Sequence, residues 1–157
     1  MFLKIFLQNQ FFFKAIKLGI KIQISNEFLL PQKNDKIKMV FATRYETNCS
    51  SEDDTLITYI GNFFFTKLGN VLFKLKITDI LYTFVMGSTE VFKNLNIKNK
   101  DFTFCVELPI KAHKKNYLLA TRESNERARI GGRKKVNAIK DGFLILISML
   151  KLFFKRN

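Results

Sequence analysis

Apolar and polar residues alternate along two segments in the first third of the chain. Residues 18–24 and 37–41 each place apolar side chains at every second position. A period of two predicts strands, and the polar stretch 30–35 predicts a turn or loop between them. Residues 2–17 instead carry Phe and Ile at helical spacing in a broad stripe, which predicts a buried helix.

The middle of the chain contains the clearest turn signal. Residues 62–68 and 71–77 are rich in β-forming side chains, and they flank Gly69-Asn70. Such a pair supplies the positive φ angles of a two-residue turn, so this region predicts a β-hairpin. The three consecutive Phe residues at 63–65 are interpreted as core residues rather than as a platform for stacking bases.

Further elements follow towards the C-terminal end. Residues 78–86 form a short apolar run that fits either a strand or a helix, and Ser88 is placed to cap a short helix that ends near Leu95. Residues 101–108 alternate strictly, which predicts a strand with Phe, Val and Leu on one face. The apolar run 143–154 predicts a final helix that packs on the core or on a neighbour.

Together these elements predict an α+β protein with a small, mostly antiparallel sheet, flanking helices and a basic C-terminal extension. We divide the chain into an α+β core domain at 1–110, a basic extension at 111–142 and an apolar C-terminal helix at 143–157. No internal repeat is apparent.

The overall charge changes this picture. Among 157 residues, 27 are Lys or Arg and 13 are Asp or Glu, which gives a formal net charge of +14, while 47% are hydrophobic. A chain of this kind can bury a core, and its positive excess favours a polyanionic partner, which is RNA, DNA or an anionic membrane surface. Cys49 and Cys105 are too few for a disulfide framework or a zinc site, and are expected to be reduced thiols.

The stretch 111–140 carries more than half of the positive excess. It holds ten basic residues against Glu123 and Glu126, and four of the six arginines of the chain lie in it. Arginine can bind a phosphate through two hydrogen bonds and can stack on a base, so we predict an RNA contact here. The candidate RNA-binding residues are Lys111, Lys114, Lys115, Arg122, Arg127, Arg129, Arg133, Lys134, Lys135 and Lys140.

The spacing within this stretch predicts its form. Residues 117–130 fit a helix with Arg122, Glu126 and Arg129 on one face, and a Gly pair at 131–132 would end that helix. A helix followed by glycines and a basic run can enter a groove between RNA helices and contact phosphates and 2′-hydroxyls. The alternative is that the stretch is simply a solvated basic surface.

Residue usage bears on the origin of the gene. Phe, Lys, Ile and Asn, which AT-rich codons encode, account for 68 residues, and Lys outnumbers Arg by 21 to 6. This usage indicates an AT-rich genome, either in an organelle or in a nucleus. Together with the small α+β core and the run Gly131-Gly132-Arg133-Lys134-Lys135, the chain resembles an organelle-encoded mitochondrial ribosomal protein. The resemblance implies a place in the mitochondrial matrix, with ribosomal RNA and neighbouring ribosomal proteins as partners.

Catalysis, cofactors and a small-molecule substrate are not expected. His113 is the only histidine and has no evident catalytic partner in sequence, and the polar loop 46–54 lacks the pattern of a calcium loop. The glycine pair at 131–132 is not a phosphate-binding loop. An enzyme acting on nucleic acid remains a third possibility, in which Asp53 or Asp54 would hold a metal.

A second hypothesis is an accessory subunit of a mitochondrial respiratory membrane complex. Its apolar segments at 2–17 and 143–154 would then contact protein or lipid. No transmembrane span is expected, because the apolar run 143–150 is interrupted by Ser148 and is followed by Lys151.

Overall fold

The computed structural model describes residues 5–8, 11–14, 37–99, 101–128 and 137–155. These ranges contain five strands and four helices. The strands are β1 (Ile5–Gln8), β2 (Phe11–Lys14), β3 (Ile37–Thr43), β4 (Val85–Ser88) and β5 (Leu118–Glu123). The helices are α1 (Leu56–Phe73), α2 (Thr89–Leu95), α3 (Phe104–Lys114) and α4 (Ala138–Phe154).

The strands form one mixed sheet in the order β1-β2-β4-β3-β5. The pairs β1–β2, β2–β4 and β4–β3 are antiparallel, whereas β3 and β5 are parallel. The α+β class is therefore confirmed, but the sheet is not purely antiparallel. β5 lies at one edge, where Ala42 of β3 is opposite Arg122.

Local sequence explains where the helices begin and end. The Thr55 hydroxyl accepts a hydrogen bond from the Thr58 backbone at the start of α1, and the Ser88 hydroxyl accepts one from the Val91 backbone at the start of α2. These caps satisfy N–H groups that lack a partner within the helix. At the other end, α1 is closed by Lys74 in the left-handed conformation.

The elements are stacked in three layers. Met39 and Phe41 on one face of the sheet pack with Leu108 of α3, and α2 covers the same face. The other side of α3 contributes Val106 and Ile110 to a second core, formed with α1 and α4. Because α3 lies between the sheet and the α1–α4 pair, residues 103–110 are buried throughout.

Several predicted elements are confirmed. The strand predicted over 37–41 is β3, the short helix capped by Ser88 is α2, and the final apolar helix is α4, which starts at Ala138. Each of these elements has a local sequence signal, which is a period of two, a capping residue or a continuous apolar run.

Two predictions in the first half of the chain are wrong. The predicted helix over 2–17 is replaced by β1 and β2, which pair as a hairpin. The hairpin predicted around Gly69-Asn70 is instead the interior of α1, and the sharp backbone turn falls at Lys74. The predicted strand over 18–24 and the loop over 30–35 lie outside the described residues.

Two predictions in the second half are also wrong. The alternation over 101–108 does not mark a strand, because α3 begins at Phe104. Residues 103–110 are all buried, so both sets of alternating side chains face the interior, including Glu107, which pairs with Lys111. In the described part of the helix predicted over 117–130, residues 118–123 form β5 and residues 124–128 are not helical. The boundary drawn at residue 110 thus falls within α3.

Candidate nucleic-acid interface

Six of the ten predicted RNA-binding residues lie in the described chain. Arg129, Arg133, Lys134 and Lys135 lie outside it, as does the glycine pair. The six divide between three elements. Lys111, Lys114 and Lys115 are at the C-terminal end of α3, Arg122 and Arg127 are on and after β5, and Lys140 is in the first turn of α4.

Lys111 and Lys114 make contacts within the protein. Lys111 Nζ lies 2.6 Å from Glu107 Oε1 and 2.6 Å from the Asn96 carbonyl oxygen. Lys114 Nζ donates to the carbonyl oxygens of Leu152 and Lys155, at 2.9 and 3.0 Å. A cation at a helix C-terminus satisfies carbonyls that have no partner in the helix, so Lys114 joins the end of α4 to α3.

Lys115, Arg122, Arg127 and Lys140 are exposed. Arg122 and Arg127 belong to one stretch of chain beside β3, whereas Lys140 belongs to α4, which packs mainly on α1 and α3. The fold therefore places the two arginines on and after the edge strand β5, and Lys140 in a different layer.

Hydrogen bonds of the residues before and after Arg127 anchor its backbone. Glu126 N donates to the Ser50 carbonyl and Glu52 N donates to the Glu126 carbonyl, both at 2.9 Å. Ala128 N donates to the Glu52 carboxylate at 2.9 Å. These bonds fix residues 126–128 against the loop after β3, so Arg127 points outward from an anchored backbone while Glu126 is buried.

Glu126, which helical spacing placed on one face with Arg122, instead binds Arg44. Arg44 follows β3 directly, and its side chain is only 8% exposed. Its Nε–H and Nη2–H donate to the two carboxylate oxygens of Asp79, at 2.8 and 3.1 Å. Its Nη1–H donates to Glu126 Oε2 at 2.8 Å, and Asp54 Oδ1 lies 3.4 Å away.

The Asp79 carboxylate is fully saturated with donors. Besides the guanidinium, it accepts from Asn62 Nδ2 at 2.6 Å and from the backbone N–H groups of Arg44 and Tyr82. Burial raises the pKa of the Asp79 carboxyl, and the guanidinium of Arg44 limits that rise. Burial alone would lower the pKa of Arg44, but its bonds to Asp79 raise it above its ordinary value.

Two tyrosines enclose the guanidinium. The Tyr82 ring centroid lies 4.5 Å from the Arg44 Cζ atom and that of Tyr45 lies 5.2 Å from it. The Tyr45 hydroxyl also donates to Asp54. The aromatic faces stabilise the cation where water is excluded, so Arg44 joins β3, α1, the segment before β4 and the segment after β5.

This arrangement removes negative charge from the surface. Asp54, Asp79 and Glu126 share Arg44, and Glu107 pairs with Lys111, so four carboxylates bind two cations. Because this set carries more carboxylates than cations, the rest of the chain carries a larger positive excess than the formal +14. The sequence analysis missed Arg44, and the only local signal is an arginine directly after an apolar strand in a lysine-rich chain.

Comparisons with protein-family models, with curated proteins and with solved structures find no match. Within the described ranges, no helix has both the length and the hydropathy needed to cross a membrane. Within the same ranges, no group of three or more His, Cys, Asp or Glu residues is arranged to hold a metal ion. The carboxylates that do meet, those of Asp54, Asp79 and Glu126, meet around a guanidinium.

Proposed function

We propose that this protein is a structural, RNA-binding constituent of the mitochondrial ribosome. It binds ribosomal RNA through the basic stretch 111–140, which lies within the predicted basic extension, and it performs no catalysis. The observation that carries the proposal is the distribution of charge: carboxylates turn inward to Arg44 and Lys111, while Lys115, Arg122 and Arg127 face solvent.

A surface of this kind favours phosphates. Arg122 and Arg127 lie along a strand edge and an anchored segment, so their guanidinium groups are presented from a fixed backbone. A fixed arginine loses less freedom when it binds a phosphate than one on a mobile chain. The RNA contacts are to backbone phosphates and 2′-hydroxyls, which recognise shape rather than sequence.

The ribosomal assignment rests on composition. The high content of Phe, Lys, Ile and Asn indicates an AT-rich genome, and an organelle genome is one such source. Ribosomal RNA and neighbouring ribosomal proteins are then the partners.

Gradient sedimentation of a mitochondrial lysate tests the assignment. We expect the protein to sediment with a ribosomal subunit and to leave that fraction after ribonuclease treatment. Recovery of the protein entirely in detergent-extracted membrane complexes, unchanged by ribonuclease, would reject the proposal.

A matched pair of triple variants tests the surface. Replacing Arg127, Arg129 and Arg133 with Ala should weaken RNA binding and reduce the slope of log K against log salt by about 2 to 3, because each lost phosphate contact removes about 0.7 to 0.9. The control replaces Lys67, Lys74 and Lys76 with Ala, which removes the same charge from exposed positions on and after α1. An equal loss of RNA affinity in both triple variants would show that the attraction is diffuse and that these arginines do not form an interface.

The second candidate function is an accessory subunit of a mitochondrial respiratory membrane complex. It is favoured by the large apolar side chains that α1 and α4 leave exposed, such as Leu56 and Phe154. In that case the protein should stay with a detergent-solubilised complex, and ribonuclease should have no effect.

A further inference from the structure

α1 has an apolar outer side that no described element covers. Its inward side contributes Phe65 and Phe73 to the core. The opposite side exposes large apolar residues that recur every three or four positions, which is the spacing of one helical face. These residues are Leu56, Ile60, Phe63, Phe64 and Val71, with Leu56 and Val71 each 74% exposed. Phe63 and Phe64 were interpreted from sequence as core, and that interpretation is wrong.

α4 has a second apolar stripe of the same kind. Ile145 and Met149 point into the core, whereas Ile139, Phe143 and Phe154 face outward. Ile139 is 87% exposed and Phe143 is 64% exposed. Helices of soluble domains normally place polar residues on such a side.

The two stripes belong to helices that lie side by side. A Cβ on Gly142 would lie 3.8 Å from the Phe65 ring, and the rings of Phe73 and Phe153 are 5.9 Å apart. The early residues of α4 are thus close to the middle of α1, and the two C-terminal ends are close to each other. We call the exposed residues of both helices the α1–α4 face.

Within the two helices, three of the four charged residues are positive, whereas the acidic residues 52–54 precede α1. Lys140 and Lys151 are eleven residues apart, about three turns, and so lie along one side of α4, and both are exposed. Lys67 extends over the Phe63 ring, 5.7 Å from its centroid. α1 contains no acidic residue, and the Asp141 carboxylate of α4 accepts the Asn137 backbone N–H at 2.7 Å.

We propose that the α1–α4 face lies on an anionic membrane surface. Phe, Ile and Leu side chains would enter the interface, and the lysines at its border would extend to the lipid headgroups. Charge complementarity selects this occupant over a second copy, because two chains of formal charge +14 would bring lysines against lysines. The face contacts the bilayer without crossing it.

Flotation of the full-length chain with vesicles tests the apolar part. Vesicles of neutral phosphatidylcholine are compared with vesicles that also contain 20–30% anionic lipid, and we expect flotation mainly with the anionic vesicles. Phe143→Ser should lower the membrane partition constant by about ten-fold, since it removes a large apolar side chain from the interface. The control is Leu118→Ser on β5, a similarly exposed residue outside the face, which should bind as the parent does.

The positive border is tested with paired double variants. Lys140→Gln with Lys151→Gln should weaken binding to anionic vesicles, whereas Lys93→Gln with Lys98→Gln, both exposed and outside the face, should not. The sequence contains no Trp, so Phe143→Trp gives a single fluorescent reporter whose emission should shift to the blue on binding.

Three outcomes would overturn the proposal. The first is that the protein floats with neither kind of vesicle. The second is that Phe143→Ser and Leu118→Ser lose vesicle binding equally. The third is that sedimentation velocity shows self-association, which Phe143→Ser abolishes. The last would assign the face to a second copy. RNA binding of Phe143→Ser, which lies outside residues 111–140, should be unchanged, so the outcome for this variant is independent of the proposed ribosomal function.

Discussion

Replacing Arg44 with Met is the sharpest test of how this fold is held together. Met keeps an apolar stem of similar length but removes the guanidinium. Asp79 then loses two hydrogen bonds and Glu126 loses one, while both carboxylates stay buried. The cost comes mainly from charge that is left in the interior without compensation.

The expected loss is large compared with ordinary stability. Removing one partner of a buried ion pair costs about 3–5 kcal/mol, and domains of this size unfold with about 5–15 kcal/mol in total. The assay is the free energy of unfolding, obtained from a urea titration followed by circular dichroism at pH 7. Arg122→Met, an exposed arginine on the neighbouring strand, is the control and should change stability by less than about 0.5 kcal/mol.

Two further measurements separate uncompensated charge from lost packing. Adding Asp79→Asn and Glu126→Gln to Arg44→Met should restore part of the loss, because neutral amides need no cation. The Arg44→Met deficit should also shrink as the pH falls from 7, since burial raises the pKa of Asp79 and protonation removes the stranded charge. A loss below about 1 kcal/mol, or a deficit that is independent of pH and of the amide substitutions, would refute this reasoning.

Two other predictions concern α3 and α1. Burial acts to raise the pKa of Glu107, but the pKa lies below its ordinary value because the carboxylate binds Lys111 and accepts from the backbone N–H groups of Asn99 and Lys98. The charge of Glu107 therefore stabilises the fold above about pH 4.5, and this contribution is lost as the pH falls further. Glu107→Gln should therefore cost about 1–3 kcal/mol at pH 7, and urea titrations should show a smaller cost as the pH falls through the pKa of Glu107; a cost that does not fall at low pH would contradict the pairing. Gly61→Ala should stabilise α1 by about 0.5–1 kcal/mol because open space surrounds its Cβ position. Gly69→Ala should fall short of that gain, because its Cβ would lie 2.7 Å from Ile80 Cδ1; thermal or urea unfolding that ranks Gly69→Ala as high as Gly61→Ala would show that this contact relaxes freely.

The sequence determined those features that depend on a residue and its near neighbours. The period of two over 37–41 gave β3, the Ser88 hydroxyl gave the start of α2, and the apolar run before Lys155 gave α4. The excess of positive charge is likewise a property of composition alone. It could be stated without a fold because a net charge does not depend on how the chain is arranged.

Local signals failed where two structures fit the same residues. Gly69-Asn70 suits a tight turn, but Gly69 also allows α1 to approach Ile80, and the Asn70 side chain donates to the Ile77 carbonyl at 3.0 Å. The alternation over 101–108 suits a strand, yet residues 104–110 of α3 are all buried, so a period of two carried no information about faces.

Only the tertiary structure decided how the charges are distributed. Arg44 meets Asp54, Asp79 and Glu126, which are 10, 35 and 82 residues away along the chain. No local pattern encodes such a meeting, because it depends on where β3, β4 and β5 stand in the sheet. The same packing turned carboxylates inward and left the arginines of the β5 edge and the apolar sides of α1 and α4 facing outward.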